Sequence, residues 1–472
     1  MKKTISNIFF NGIYQVFAIL APIITVPYVS RILGSYYLGE FSYFYSICVF
    51  LGIFVLWGLN QFGTKLVSES SGEKRTKIFF QLWSIQIAIG LSVLFIFFIF
   101  SLFSDKKETL LLFLPYMISL LMDLSWFYVG ISEIKKVIIR NTFVKIISIL
   151  LIFLFVKGAK DFPIYIIVNT GGNLIANLFF IFSLKDFVDI KQKKFFPFPI
   201  DYFKIGLGLL VPQIAVQIYT SLDKVIVGNI AGSVELSYYD QSQKIARIVL
   251  ALVGSVSLVL MPEMARKKNN EETFMKIFNT SLDLTLIISM LLSIIISTNT
   301  KLFVPWFFGS EFTPMTLNMM LSSMLIIFIS YGGVFANQYA LSMGFYKVYS
   351  IPYIVGAAIN IIMNVLFVSK WGSLGGTISL IITELIVCLL RVFLLRRYIH
   401  MFDIFKRQLM VFISGGITLL FALTFYIETG NTFLTMCVNS FIVCIVFLGM
   451  IVIFSQNYRN KLLGMTKLLR SK

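Results

Sequence analysis

Five charged side chains stand within the two apolar runs of the stretch from Gln213 to Gly254: Asp223, Lys224, Asp240, Lys244 and Arg247. Ammonium and guanidinium groups bind anions, and a carboxylate among apolar helices can take up a proton or a small cation. One ionisable group at the centre of a bilayer costs about 2.5–3.5 kcal/mol on insertion scales. Five uncompensated groups would cost on the order of 15 kcal/mol, comparable with the stability of a whole domain. They must therefore face one another or water. Helical spacing allows both. Gln213, Gln217, Thr220 and Lys224 recur at i+4, i+3 and i+4 as one polar stripe, and Asp240, Lys244 and Arg247 make a second. Asp240 and Lys244 are an i,i+4 pair with the acid on the N-terminal side, which cancels part of the charge locally and leaves Arg247 over. Asp223 and Lys224 are neighbours whose side chains diverge by about 100° and need not pair.

Other apolar runs carry similar stripes: Asn7, Asn11 and Gln15; Asn141, Lys145 and Ser148; Asn360 and Asn364; Glu384 and Arg391. The Asn and Gln side chains serve either helix–helix hydrogen bonding or a pathway. Cations near the ends of a run, Lys145 and Arg247 above all, either line that pathway or reach back to the headgroups. The balance is basic, with Lys145, Lys224, Lys244 and Arg247 set chiefly against Asp223, Asp240 and Glu384, and Asp123 standing apart in the fourth run. A cavity of that character suits an anionic, hydroxyl-rich molecule, such as phosphate and sugar together. Lipophilic cations would call for acidic and aromatic walls.

The elements that must position these groups follow from composition. The chain has 472 residues, 58% hydrophobic and 13% charged, with a mean hydropathy of +0.88. Soluble domains carry roughly 25% charged residues, so an all-α polytopic membrane protein is expected, with no room for a sizeable soluble domain. Fourteen apolar runs are long enough to span, near 7–30, 41–63, 78–103, 110–130, 137–156, 162–184, 203–230, 236–261, 280–300, 313–340, 348–369, 373–395, 408–427 and 432–455. With the N-terminus inside, and with Arg140, Lys204 and Arg391 at the inner ends of their runs counted with the adjoining loops, 29 of the 40 Lys and Arg fall inside and 7 outside. A missed helix would invert every later loop, so this bias supports fourteen spans with both termini cytoplasmic. The net charge of +18 is then mostly topology and does not point to nucleic acid. The basic start runs on apolar through Ile24 without a convincing cleavage site and reads as a retained first helix. The four cysteines form no C-x-x-C pair and the single histidine, His400, cannot hold zinc alone.

The longest inside connection, 185–202, is basic and proline-bearing and marks the boundary between two halves. The expected division is an N-terminal lobe over 1–190 (helices 1–6), a C-terminal lobe over 191–400 (helices 7–12), and 401–472 carrying two more helices and a basic cytoplasmic tail. "VPYVSRILGSYYLGEFSYFYSI" and "YTSLDKVIVGNIAGSVELSYYDQSQKI" read as a weak repeat, with Arg31 before Gly34 set against Asp223–Lys224 before Gly228 and a gap of about two residues. Both copies start inside, so the repeat is parallel, and transporters commonly place a substrate cavity between such halves. Pro22, Pro27, Pro212, Pro352 and Gly356 interrupt spans where kinks or gating are expected.

"PYVSRILGSYYLGEFSY" (Pro27–Tyr43) and "SLDKVIVGNIAGSVELSYYDQSQKI" (Ser221–Ile245) resemble the entry and second-half signatures of Wzx-type polysaccharide flippases, in the multidrug/oligosaccharidyl-lipid/polysaccharide exporter superfamily. In length, span number and half-boundary the resemblance covers the whole chain; its specific motifs cover these two places. "GSVELSYY" lacks the Gly-x-Tyr common there. The resemblance implies two six-helix lobes around a central cavity plus two C-terminal helices, in a bacterial cytoplasmic membrane. It also implies movement of undecaprenyl-diphosphate-linked oligosaccharide repeat units from the cytoplasmic to the outer leaflet by alternating access. By position, Arg31, Asp223 and Lys224 match charged motif positions; Lys145, Lys244 and Arg247 come from helical spacing alone. The expected cavity set is thus Arg31, Lys145, Lys224, Lys244 and Arg247, with Asp223, Asp240 and Glu384 as candidates for ion coupling. Expected partners are the lipid-linked glycan, membrane lipids, and polysaccharide polymerase and assembly proteins. No Walker sequence, H-E-x-x-H, zinc spacing or nucleophile elbow is present, so no cofactor is expected and an enzyme is disfavoured. The competing readings are a multidrug/cation antiporter or lipid II flippase of the same superfamily and, further off, a membrane polysaccharide polymerase.

Overall fold

The computed structural model describes residues 2–189, 198–267 and 269–454. The side chains of Asn7, Asn11, Gln15 and Pro212, most of the basic linker and the basic C-terminal tail lie outside the described residues. Within them the chain is helical, with no strand. Apolar runs of this length leave little choice: in lipid every backbone N–H and C=O must be satisfied inside the segment, and a helix does that.

The chain forms two compact units, Met1–Ser237 and Tyr238–Lys472. The first contains α1 (Lys2–Leu56), α2 (Gly72–Leu102), α3 (Leu114–Leu121), α4 (Ser125–Gly130), α5 (Ile134–Phe155), α6 (Phe162–Ser183), α7 (Ile200–Gln217) and the beginning of α8 (Asp223–Lys267). The second contains the rest of α8 with α9 (Glu271–Phe308), α10 (Met324–Gly333), α11 (Tyr346–Leu395), α12 (Met401–Thr424) and α13 (Thr432–Phe454). Among the described residues ten helices are long and apolar enough to cross a membrane, or up to eleven when the bent pair Ile200–Leu210 and Gln213–Ser257 is taken as one span. This establishes a multi-pass helical membrane protein.

The difference from fourteen apolar runs has a local cause. α1, α8 and α11 are each interrupted by one glycine outside helical geometry, at Gly34 (φ 74°, ψ 179°), Gly232 (φ 85°, ψ 175°) and Gly372 (φ 54°, ψ −133°). Two of these breaks visibly turn the chain back. A Cβ on Gly375 would meet the Phe367 carbonyl oxygen at 2.1 Å, and one on Gly228 would meet Leu236 Cδ2 at 2.9 Å. Residues eight apart on a straight helix are about 12 Å apart along the axis, so α11 and α8 reverse sharply at their glycines.

Gly34 and Gly232 share one backbone conformation, and this re-registers the internal repeat. Ile32-Leu33-Gly34-Ser35 lies over Ile230-Ala231-Gly232-Ser233, and Leu38 over Leu236, without a gap. The turn glycine of the second copy is therefore Gly232, not Gly228 as the gapped match had it. Gly228 is small for another reason: Tyr43 Cδ2 would lie 2.5 Å from its Cβ. The shared conformation is one that only glycine adopts readily, costing other residues about 1–3 kcal/mol. Gly232 has open space around it, so Gly232→Ala isolates that backbone term. Thermal unfolding in detergent is expected to show a loss of about 1–3 kcal/mol.

In the first unit Phe79, Trp126, Phe127, Tyr128 and Phe180 form the core, with the Tyr128 and Phe180 rings stacked at 4.3 Å. The run expected near 110–130 is broken between α3 and α4, and side chains satisfy the freed carbonyls. Gln86 Nε2 donates to Leu120 O (2.7 Å) and Asp123 O (3.1 Å), Asn177 Nδ2 to Ser119 O (2.8 Å), and Trp83 Nε1 to Leu121 O (3.1 Å). A membrane helix tolerates a break on this condition. The second unit is centred on Phe274, Phe278, Phe335, Tyr339, Leu395 and Ile404.

Candidate functional site

In the first unit, α7 passes into α8 through a π-helical turn, Ile218–Leu222. The i→i+5 bonding of such a turn breaks the 3.6-residue period. Lys224 is thereby turned off the line of Gln213 and Gln217 that an unbroken α-helix would give. The turn gathers its own polar cluster: Thr220 Oγ1 donates to Gln217 Oε1 and to Val216 O (3.0 Å), and Ser221 Oγ donates to Gln217 Oε1 (3.4 Å). Asp223 begins α8 fully buried, and its Oδ1 accepts from the Lys224 backbone N–H at 2.7 Å.

Arg31 is exposed on α1 and donates to the Pro27 carbonyl at 3.2 Å. Lys145 is half-buried on α5 and makes no hydrogen bond or ion pair with the described residues. A cation that sequence reading passed over lies on the same helix. Arg140 stacks its guanidinium 3.9 Å from the Phe180 ring and donates to Asn141 Oδ1 (2.7 Å), Asn177 Oδ1 (2.5 Å) and Ser125 Oγ (3.4 Å). The Ser125 hydroxyl is held in turn by Asp123 Oδ1 at 2.5 Å. α4, α5 and α6 each contribute to this network, so its spacing could not be read along one helix.

In the second unit the i,i+4 pair on α8 forms as expected: Lys244 Nζ lies 2.7 Å from Asp240 Oδ2, with the carboxylate buried and the ammonium 41% exposed. Arg247, one turn on, is not left over. It shares an electrostatic neighbourhood with Glu384 and Arg391 of α11, which are only 7% and 4% exposed. The Arg391 guanidinium stacks 4.7 Å from the Tyr353 ring, and its Nε has no hydrogen-bond partner among the described residues. Gly332 makes room for it, since a Cβ there would sit 3.1 Å from Arg391 Nη1. Beside this pair on α11, Asn364 Nδ2 donates to Asn360 Oδ1 at 3.0 Å, and both side chains are fully buried. Arg247 is exposed, whereas Arg391 and Glu384 are buried, so two guanidinium groups stand against one carboxylate and the buried pair of charges acts more strongly than it would in water. A surplus of guanidinium over carboxylate of this kind is chemically suited to an anion. Among the described residues no group of three or more His, Cys, Asp or Glu side chains is placed to hold a metal ion.

A further ionic network went unseen in the sequence. Asp283 of α9 is buried, and its Oδ1 accepts from Arg407 Nε (3.1 Å) and Gln408 Nε2 (3.0 Å) of α12. Arg407 Nη2 also reaches Asn279 Oδ1 (3.2 Å), and the Tyr331 hydroxyl of α10 donates to Gln408 Oε1 (2.6 Å). The one signal available was an acid inside the apolar run "SLDLTLII".

Comparison with known proteins places this geometry in a context. The family described as "Polysaccharide biosynthesis protein" matches residues 4–268. A putative O-antigen transporter of Escherichia coli (strain K12) is 20% identical over 406 residues, 83% of this chain and 96% of the relative. A putative O-antigen transporter of Shigella dysenteriae is 20% identical over 82% of this chain and 98% of its own length. Among solved structures, the lipid II flippase MurJ in an inward closed conformation superposes with a TM-score of 0.76 at 19% identity, covering 96% of this chain and all of its own. An inward-facing multidrug resistance transporter of the MATE family superposes at 0.62 and 13% identity, over 84% and 99% of the two chains. At these identities the two structures establish the fold.

Proposed function

The chain belongs to the polysaccharide biosynthesis protein family, as its Wzx-type signatures implied, and from that premise we propose that it is a flippase for lipid-linked glycan and not an enzyme. The observation that carries the reading is the family match together with relatives named as O-antigen transporters along nearly their whole length. Under this proposal the substrate is an undecaprenyl-diphosphate-linked oligosaccharide repeat unit, moved from the cytoplasmic to the outer leaflet of a bacterial cytoplasmic membrane by alternating access. Both termini are cytoplasmic, the lobes are 1–190 and 191–400, and 401–472 adds two helices and the tail.

The diphosphate is the chemically demanding part of such a substrate, because its charge must cross a medium that does not solvate it. Arg31, Lys145, Lys224, Lys244 and Arg247 are proposed to bind it in turn, and Arg391 joins them because its buried Nε is unspent. Hydroxyl and amide groups such as Asn360 and Asn364 suit the sugars. Asp223, Asp240 and Glu384 are the proposed coupling groups. Protonation of Glu384 would strip Arg247 and Arg391 of their counter-charge and strengthen their hold on an anion; its loss would weaken it. Polymerase and assembly proteins are proposed to receive the exported unit.

Replacing both Lys224 and Arg247 by Gln is expected to cut surface polymer at least about tenfold at equal protein level, since each charge-assisted contact contributes roughly 1.5–3 kcal/mol. Unchanged polymer would remove the cationic-cavity reading. The reading as a whole is tested in a strain lacking the gene, by extracting lipids and assigning intermediates to a leaflet. Complete repeat units held on the cytoplasmic side, with polymer lost, support it. Unchanged intermediates with altered drug tolerance would make the protein an antiporter. Accumulated lipid II would make it a peptidoglycan-precursor flippase, and exported units that fail to lengthen would make it a polymerase.

A further inference from the structure

The second unit holds a cavity of about 570 Å³ walled by α10, α11 and α12, among them Phe328, Cys388, Leu389, Phe402 and Phe405. The one hydroxyl on its wall, Tyr331, is already committed to Gln408, so the cavity offers almost nothing to a polar ligand. Its outer wall faces away from the protein, with Phe402 76% and Leu389 57% exposed. A volume of this size suits one flexible acyl chain and is too small for an undecaprenyl chain.

Charge sits at one end of this cavity. Arg396 and Arg397 occupy the turn that joins α11 to α12, two of the three walls, and Lys406 follows on the first turns of α12; all three are exposed. Arg396 lies flat 3.8 Å from the Phe393 ring, which keeps its guanidinium at the membrane edge. His400 is also exposed there, Asp403 is the single acid among these exposed groups, and Arg407 is taken by Asp283. Three free cations against one carboxylate beside an apolar chain-sized cavity match a lipid with a negative headgroup. We propose that this is a binding site for an anionic phospholipid, one acyl chain in the cavity and its phosphate on Arg396, Arg397 and Lys406. Basic pockets between membrane helices bind such headgroups. None of Arg247, Glu384 and Arg391 lines the cavity, and the proposal does not depend on the transport reading.

The test is native mass spectrometry of the full chain in detergent, with phosphatidylglycerol and phosphatidylcholine added in equal amounts. The wild type is expected to retain phosphatidylglycerol preferentially. Each cation contributes about 1 kcal/mol near a headgroup, so each charge removed in an R396Q, R397Q, K406Q series should lower the preference about fivefold. Leu389→Trp, which fills the cavity from an exposed position, should remove adducts of both lipids while leaving the melting temperature near that of the wild type. Equal retention of the two lipids would overturn the proposal, as would a preference untouched in the triple variant. Displacement of phosphatidylglycerol by undecaprenyl phosphate at equal concentration would also overturn it and assign the cavity to the transported lipid.

Discussion

Asp283→Leu is expected to lower the stability of the second unit by about 3 kcal/mol, the low end of the cost of breaking a buried ion pair, because the Arg407 left without its partner is only part-buried. Arg407 donates two hydrogen bonds in this network, to Asp283 and Asn279, and Gln408 is held between Asp283 and Tyr331. Removing one carboxylate therefore loosens α12 from both α9 and α10. Asp283→Asn keeps an acceptor and loses the charge, and should cost less, about 1–3 kcal/mol. The decisive comparison is the double variant Asp283→Leu/Arg407→Leu, which removes both charges and should recover part of the single-variant loss. Melting curves of purified protein read all three. A double variant as unstable as the sum of its parts would mean that the two side chains do not act as a pair.

Gly39→Ala is expected to be the most disruptive glycine substitution, for a steric and not a conformational reason. A Cβ on Gly39 would lie 1.7 Å from the backbone oxygen of Ser233, against the 3.4 Å at which ordinary contact begins. The obstacle is backbone, so no side chain can rotate away, and the turn at Gly232 must withdraw by about 2 Å from α1. Overpacking of this kind costs at least about 1–3 kcal/mol. Gly416→Ala, where a Cβ meets nothing within 4 Å, is the control and should stay within about 0.5 kcal/mol of the wild type. If transport passes through this close approach, Gly39→Ala will also lower surface polymer at equal protein level while Gly416→Ala leaves it unchanged. Equal melting temperatures for the two variants would show that the turns are not packed this closely.

How much was legible in advance divides along the range of the interaction. Composition and run length determined the class, because a chain this apolar can satisfy its backbone in lipid only as helices. The Asp240–Lys244 pair was legible because i,i+4 contacts are written into helical spacing. The two signature stretches were legible as a repeat, but not their register, since a sequence shows where glycines stand and not which have positive φ. Gly228 and Gly232 looked alike on paper; one makes room for Tyr43 and the other turns the chain. The polar stripe through Lys224 assumed an unbroken α-helix, and a π turn at Ile218–Leu222 interrupts it.

Only tertiary structure decided which charges meet. The charge of Arg247 acts on Glu384 from far along the chain, and Asp283 pairs with Arg407. Sequence determined that ionisable groups inside these helices had to find partners, because the cost of a lone charge in lipid is set by its chemistry alone. It could not name the partners, because pairing between helices depends on how each rotates about its axis, and that is settled by packing along its whole length.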